Sequence, residues 1–215
     1  MTKTEIYKQR FTKENRPGLE AINLKQRQLY GSQEPIHWAT IVPYEFGGDD
    51  PLWAVECYKS EKQQSHFHSM TLGFTNLWYD EAFAEEEVNG FGFELTLRHL
   101  PVIGDSEQPI WTANLLQNIA KYVFKTRNAF DDYHYMSANG PIRADTDTEI
   151  TAMAFITDSE MKEIDTPHGR IKFIQIFGLT TKEYNNLTKK EYTVQDLLIE
   201  HFQTNPLLIT DLDRL

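Results

Sequence analysis

The chain has 215 residues, 40% of them hydrophobic, 13% aromatic and 25% charged, which is the composition of an ordinary globular protein and excludes intrinsic disorder. Its longest apolar runs, AMAFI and IQIFGL, fall far short of the ~20 residues that span a bilayer, and no apolar segment follows the basic residues of MTKTEIYKQRFTKENRPG, so neither a membrane span nor a secretory signal is expected. The net charge of −11, without clustered Lys/Arg, excludes direct nucleic-acid binding, and the single Cys57 excludes an internal disulfide or a Cys-based zinc cage. These features point to the cytoplasm.

Residues 1–16 read as an N-terminal arm or a short helix. After Pro17, GLEAINLKQRQLYG spaces Leu19, Ile22, Leu29 and Tyr30 near helical intervals, with Gly31 placed to stop it. HWATIVP and WAVECYK are β-branched or aromatic runs bounded by turn residues, and HFHSMTLGF is a further strand pattern. In GFGFELTLR, Phe91, Phe93, Leu95 and Leu97 alternate with Gly92, Glu94, Thr96 and Arg98, which predicts a strand buried on one face with Glu94 on the solvent side. WTANLLQNIAKYVFKTRN is the clearest helix, with Leu115, Leu116, Ile119 and Val123 in an apolar stripe flanked by Tyr122. EITAMAFI and RIKFIQIFGL are strands, the second apolar on both faces and so central. VQDLLIEHFQ is a helix opened by Thr193 and closed before Pro206, and LLITDL a final strand. Turns are marked by GGDDP, HLPVIGDSEQP (99–109), SANGP and TPHG. Helices around groups of strands, without regular alternation, predict an α+β fold: one domain over 1–215, with a mixed, mostly antiparallel sheet flanked by helices.

Charge is distributed unevenly. Residues 1–30 carry seven Lys/Arg against three Asp/Glu, whereas residues 31–97 carry two against twelve. Such a negative stretch either solvates the protein or steers a basic protein partner.

The chemical motifs are weak. His66 and His68 lie two apart on a strand and so share a face, as metal ligands would. A third ligand could come from His37, Glu94, His99 or His134, but no spacing certifies one, and the pair reads as polar packing rather than a metal site. The glycines of NGFGFEL lack the third glycine of a dinucleotide loop and run into a strand, so Gly90 and Gly92 mark a bulge or a close backbone approach. Asp131 and Asp132 read as solvated loop carboxylates pointing apart, and no nucleophile elbow is present. No catalytic residue, metal or cofactor is predicted.

QEPIHWATIVPYEFGGDDPL, HFHSMTLGFTNLWYD, NGFGFELTLR, PIWTANLLQNIAKYVFKTRNAF, TPHGRIKFIQIFGLTTKE and PLLITDL occur in an order that resembles the suppressor-of-fused domain family from about residue 17 onward. The resemblance implies an α+β protein-binding domain without established catalysis, whose eukaryotic members hold an extended transcription-factor peptide by strand addition. It implies that two acidic residues facing a basic group of that peptide correspond to Asp80 and Glu94, with Trp78 and Tyr79 beside them. Ser69 and Tyr79 depart from the eukaryotic pattern. The chain ends shortly after LLITDL, so a single lobe is expected. Short single-lobe members look like bacterial immunity proteins, which act as antitoxins against polymorphic toxins. A basic toxin domain is the expected partner, and a regulator bound through an extended peptide is the alternative.

Overall fold

Burial of both faces of RIKFIQIFGL organises the architecture. The computed structural model describes residues 1–102 and 107–215, so part of the turn expected over 99–109 lies outside the described residues. Its helices are α1 (Lys3–Arg10), α2 (Pro17–Tyr30), α3 (Ile110–Thr126), α4 (Thr181–Thr188) and α5 (Val194–Phe202). Its strands are β1 (Ile36–Ala39), β2 (Ala54–Ser60), β3 (His66–Leu72), β4 (Val88–His99), β5 (Tyr135–Ser137), β6 (Ile150–Thr157), β7 (Glu163–Thr166) and β8 (Gly169–Thr180). Among the described residues they form one sheet in the order β1-β2-β3-β4-β8-β6-β5, with β7 on the start of β8. Only the β4–β8 pairing is parallel, so the sheet is mixed and mostly antiparallel, and the α+β class read from the sequence is the one observed.

β8 is central because its side chains need cover on both sides. Ile174 and Ile176 join Leu95, Leu97 and Phe155 beneath α3, which presents Leu116, Ile119, Ala120 and Val123. Ile171 and Phe173 point the other way, into a cluster with Met70, Leu72 and Ile22 of α2. Phe177 and Leu179 continue on that face under α4 and α5, through Leu187, Leu197 and Leu198. The sheet is thus sandwiched, one helix on one face and three on the other, and its middle has no solvent side.

The helix ends follow local chemistry. Thr193 caps α5 as expected, accepting the Asp196 N–H while the Asp196 carboxylate takes the Thr193 N–H. The same reciprocal arrangement of Thr180 and Glu183 opens α4, a helix the apolar periodicity did not indicate. The N-terminal segment forms α1, capped by Thr2 and Glu5.

Two expected strands shrink. HWATIVP pairs only over Ile36–Ala39 before Pro43 and the 3₁₀ turn Tyr44–Phe46 interrupt it. LLITDL makes no strand: it supplies one parallel bridge, Thr210 to His99. There the segment enters the gap where β4 and β8 diverge. The Leu100 N–H donates to the Thr210 carbonyl at 2.9 Å, the Thr210 N–H to the Arg98 carbonyl at 2.8 Å, and the Gly178 N–H to Thr210 Oγ1 at 2.9 Å. A Cβ on Gly178 would come within 2.5 Å of Ile150 Cγ2 and 2.6 Å of Thr210 Cγ2. Gly178→Ala should therefore lower stability by about 1–3 kcal/mol in chemical denaturation by overpacking this junction. A neutral result would mean that the C-terminal segment is not held against β8.

Candidate functional site

The site is built where two neighbouring strands come apart. β3 and β4 pair from Phe67/His99 to Met70/Thr96, and beyond that point they splay. They meet again where the Phe91 N–H donates to the Phe74 carbonyl at 2.9 Å. Gly90 stands there with φ +59°, and a Cβ on it would lie 2.6 Å from Phe74 O. The close backbone approach read from the paired glycines is therefore real, and the β4 register shifts between Val88 and Phe93.

Glu94 fills the gap. It is fully buried, correcting the solvent-facing placement that alternation suggested: with helices on both faces, the even positions of β4 from Glu94 to Arg98 have no water to point at. Its carboxylate accepts from Thr71 Oγ1 (2.6 Å), the Gly73 N–H (3.1 Å), the Thr75 N–H (3.1 Å) and Thr75 Oγ1 (2.7 Å). Thr71 Oγ1 in turn accepts the Leu95 N–H at 2.8 Å. Side chains thus replace the ladder bonds the splay removes. Burial pushes the Glu94 carboxyl up to about 7, against the pull of the donors from Thr71, Thr75 and Gly73.

The braced turn leads into Trp78, Tyr79 and Asp80, which wall a groove of ≈ 510 Å³ together with Trp53, Phe74, Phe91, Phe124 and Arg127. Of the four expected residues, Trp78, Tyr79 and Asp80 line the groove, and Glu94 stands behind them rather than in it. Trp78 is half-buried and edge-on to Trp53 (5.0 Å), with the Arg16 guanidinium 4.7 Å over its ring. Its indole N–H is buried without a hydrogen-bond partner among the described residues. Asp80 is exposed and caps the 3₁₀ turn Glu81–Phe83 by accepting the Ala82 N–H at 2.9 Å.

Two residues the sequence did not single out fix this segment. The Tyr7 hydroxyl, on α1, accepts the Asp80 N–H at 3.1 Å and lies 2.7 Å from His168 Nε2. His168 is fully buried and its Nδ1 is 2.9 Å from the Asn76 carbonyl, so Nδ1 carries the proton and Tyr7 donates to Nε2. Burial lowers the His168 pKa, keeping the ring neutral. Lys8 to Glu81 (2.8 Å) and Thr4 to Glu85 (2.8 Å) complete the attachment. Tyr7 and His168 are 161 positions apart, and no local pattern announces them.

The paired histidines serve elsewhere. His68 is fully buried, with Nδ1 on the Tyr30 hydroxyl and Nε2 3.1 Å from Asp158 Oδ2. His66 donates from Nδ1 to the Gln64 carbonyl (2.8 Å) and accepts from Arg98 at Nε2 (3.1 Å). Asp158 also receives Arg98 Nη2 at 3.3 Å, Thr96 Oγ1 at 2.9 Å and the amides of Glu160 and Met161. Every nitrogen of the two rings is engaged in a buried polar network. Burial, reinforced by Arg98, drops His68 to about 4. Asp131 and Asp132 do not point apart: both converge on Lys172, at 2.9 and 3.3 Å.

The pH consequence follows from these two groups. Glu94, raised to about 7 from 4.5, binds its proton more tightly when folded, so its contribution rises as pH falls from 7 toward 4.5. His68, lowered to about 4 from 6.5, is neutral when folded, so stability is lost as pH falls from 6.5 toward 4. The two oppose each other. Glu94→Gln should therefore lose stability more steeply than the wild type between pH 7 and 4.5, measured by urea titrations across that range. Glu94→Ala, which strands the Gly73 and Thr75 donors, should cost about 3 kcal/mol at pH 7. Parallel pH profiles for wild type and Glu94→Gln would refute the shifted carboxyl.

With this geometry in hand, likeness to known proteins becomes informative. A family model described as Suppressor of fused protein (SUFU) matches residues 48–215. The human Suppressor of fused homolog is 34% identical over 212 residues, which is 92% of this chain and 43% of the human protein, and the mouse homolog gives the same figures. The chain thus spans less than half the length of these curated relatives. A crystal structure described as the Sufu–Fu complex superposes with a TM-score of 0.81 at 29% identity, over 94% of this chain and 92% of that one. Drosophila Suppressor of Fused gives 0.81 at 27%, covering 95% of this chain and 52% of its own. A SUFU homologue from Neisseria gonorrhoeae, 9% identical with a TM-score of 0.61 over 92% of this chain and 95% of its own, shares the fold. By sequence over most of its length and by the arrangement of its strands and helices, the chain belongs to the suppressor of fused family.

Proposed function

We propose that this chain is a non-catalytic protein-binding domain that seats a basic segment of a partner protein in the groove walled by Trp78, Tyr79 and Asp80. The observation that carries the reading is the exposed Asp80 carboxylate, held by its own backbone to Tyr7 at the edge of an aromatic-walled groove. Aromatic walls beside a fixed charge suit an interface hot spot. Glu94 acts indirectly, by holding the Gly73–Thr75 turn that lines the groove. The likeness to Sufu in a structure described as its complex with Fu supports protein binding as the mode of action.

The partner we favour is a basic toxin domain neutralised in the cytoplasm, with this chain as its immunity protein. The twelve Asp/Glu against two Lys/Arg over residues 31–97 would speed association with such a partner. The second reading, a regulator that holds an extended peptide, is favoured by the 34% identity to the human homolog over 92% of this chain. A pull-down from native cells with the tagged protein, read by mass spectrometry, separates the two by what is retained at stoichiometric level. Asp80→Lys should weaken the recovered partner's binding by at least about tenfold while the variant stays folded, losing only the cap on the Ala82 N–H. Full affinity in that folded variant would remove the groove from the reading.

A further inference from the structure

A second concavity, of ≈ 780 Å³, lies between α1 and α2 and shares no lining residue with the Asp80 groove. Each helix turns one face toward it. On α1 that face runs Lys3, Ile6, Tyr7, Arg10, and on α2 it runs Glu20, Asn23, Leu24, Arg27, both at helical spacing. Ile6 and Leu24 are 51% and 61% exposed, although each sits at the middle of its stripe where a core contact would be expected. Phe11, Pro17, Ala21 and Ala84 continue the apolar lining between them.

The charge at this cleft runs against the rest of the molecule. Lys3, Arg10 and Arg27 line it, and among the described residues none of the three sits in an ion pair, whereas Lys8, elsewhere on α1, is paired with Glu81. Arg10 rests over the Phe11 ring at 5.0 Å and makes no closer claim on a carboxylate. Glu20 and Asp165 also line the cleft, so it is not a uniformly positive patch of the kind a flat anionic surface would select. In a chain of net charge −11, three unpaired cations around exposed aliphatic side chains are a specific combination.

We infer that this cleft is a docking surface for an amphipathic, acidic segment of a partner protein. Its apolar side chains would cover Ile6 and Leu24, and its carboxylates would meet Lys3, Arg10 and Arg27. Such a ligand matches the helix-in-groove mode, in which anchors at i, i+3 or i+4 and i+7 fill the cleft. The chemistry is opposite to that proposed for Asp80, so one domain could hold a basic segment and an acidic one at once.

The test uses the full chain and a displayed library of random peptides about four helical turns long. Peptides enriched by the wild type should be net acidic with aliphatic residues at helical spacing. Their binding should fall by about tenfold or more in Leu24→Asp and in the triple variant Lys3→Glu, Arg10→Glu, Arg27→Glu. Asp80→Lys should leave it unchanged. The four cleft positions are at the surface, and a wild-type denaturation midpoint for each cleft variant checks that the fold is intact. Enrichment of basic peptides lost in Asp80→Lys alone would support the Asp80 groove and overturn this inference, as would acidic peptides indifferent to the cleft variants, or no enrichment at all. Concentration-dependent dimerisation abolished by Leu24→Asp would overturn the assignment of the occupant, making it a second copy of the chain.

Discussion

The structure depends on a gap between β3 and β4 that a buried carboxylate closes. Two strands that separate inside a protein leave backbone donors with neither a ladder nor water, each a cost of about 1–3 kcal/mol if unmet. Glu94 takes the Gly73 and Thr75 amides and both threonine hydroxyls, and Thr71 takes the Leu95 amide. With those bonds supplied by side chains, the chain after Leu72 is free to leave the sheet and carry Trp78, Tyr79 and Asp80 out to the groove. The same carboxylate is costly to bury, and burial outweighs the donors in setting its pKa. A groove held this way is braced from behind by a residue that never lines it.

A second polar centre sits on the face shared by α2, α4 and α5. The apolar surface there is divided into two clusters, one around Met70, Leu72 and Phe173, the other around Phe177, Leu179 and Leu198. His68, Arg98, Thr96 and Asp158 join β3, β4 and the turn after β6. Burial raises the Asp158 carboxyl, but His68 and Arg98 overcome it and hold the group well below the ordinary range. Glu160, which also meets Arg98 at 3.0 Å, extends the network to Lys62 at the surface. A buried ion-paired network of this kind costs much to break on one side, because it leaves a buried charge alone. His66 and His68 alternate onto one face of β3 as the strand period requires, and that face is internal.

Much of this was legible in the sequence because it rests on local periodicity. The apolar stripe of α3, the cap at Thr193 and the two-faced burial of β8 are set by side chains a few residues apart. Glu94 was misplaced because alternation reports which residues share a face, not whether the opposite face is wet; α2, far away in sequence, decides that. LLITDL has the composition of a strand, but only Thr210 finds a partner in the gap between β4 and β8. Of the candidate site, Trp78, Tyr79 and Asp80 were located by resemblance, not by periodicity. Tyr7 and His168, which hold them, were invisible because a hydrogen bond across 161 positions leaves no local mark. Two local signals were missed, Thr2 with Glu5 and Thr180 with Glu183, whose spacing alone marks a helix start.

The uneven charge of the chain has a structural expression that composition cannot give. The basic N-terminal helix lies against the acidic segment after Asp80, and Lys8–Glu81 joins them, yet both groups are about half exposed, so the pair adds little stability. The buried Tyr7–His168–Asn76 chain does the fixing. Charge there is therefore left over for other work. Glu86 and Glu87 remain exposed in the acidic segment, while Lys3, Arg10 and Arg27 line the cleft between α1 and α2. At physiological ionic strength such fields reach about 8 Å, far enough to orient an arriving partner but too short to average over the whole molecule. Both signs meet at α1, whose Tyr7 fixes the Asp80 segment through a buried hydrogen bond while its Lys3 and Arg10 face the cleft.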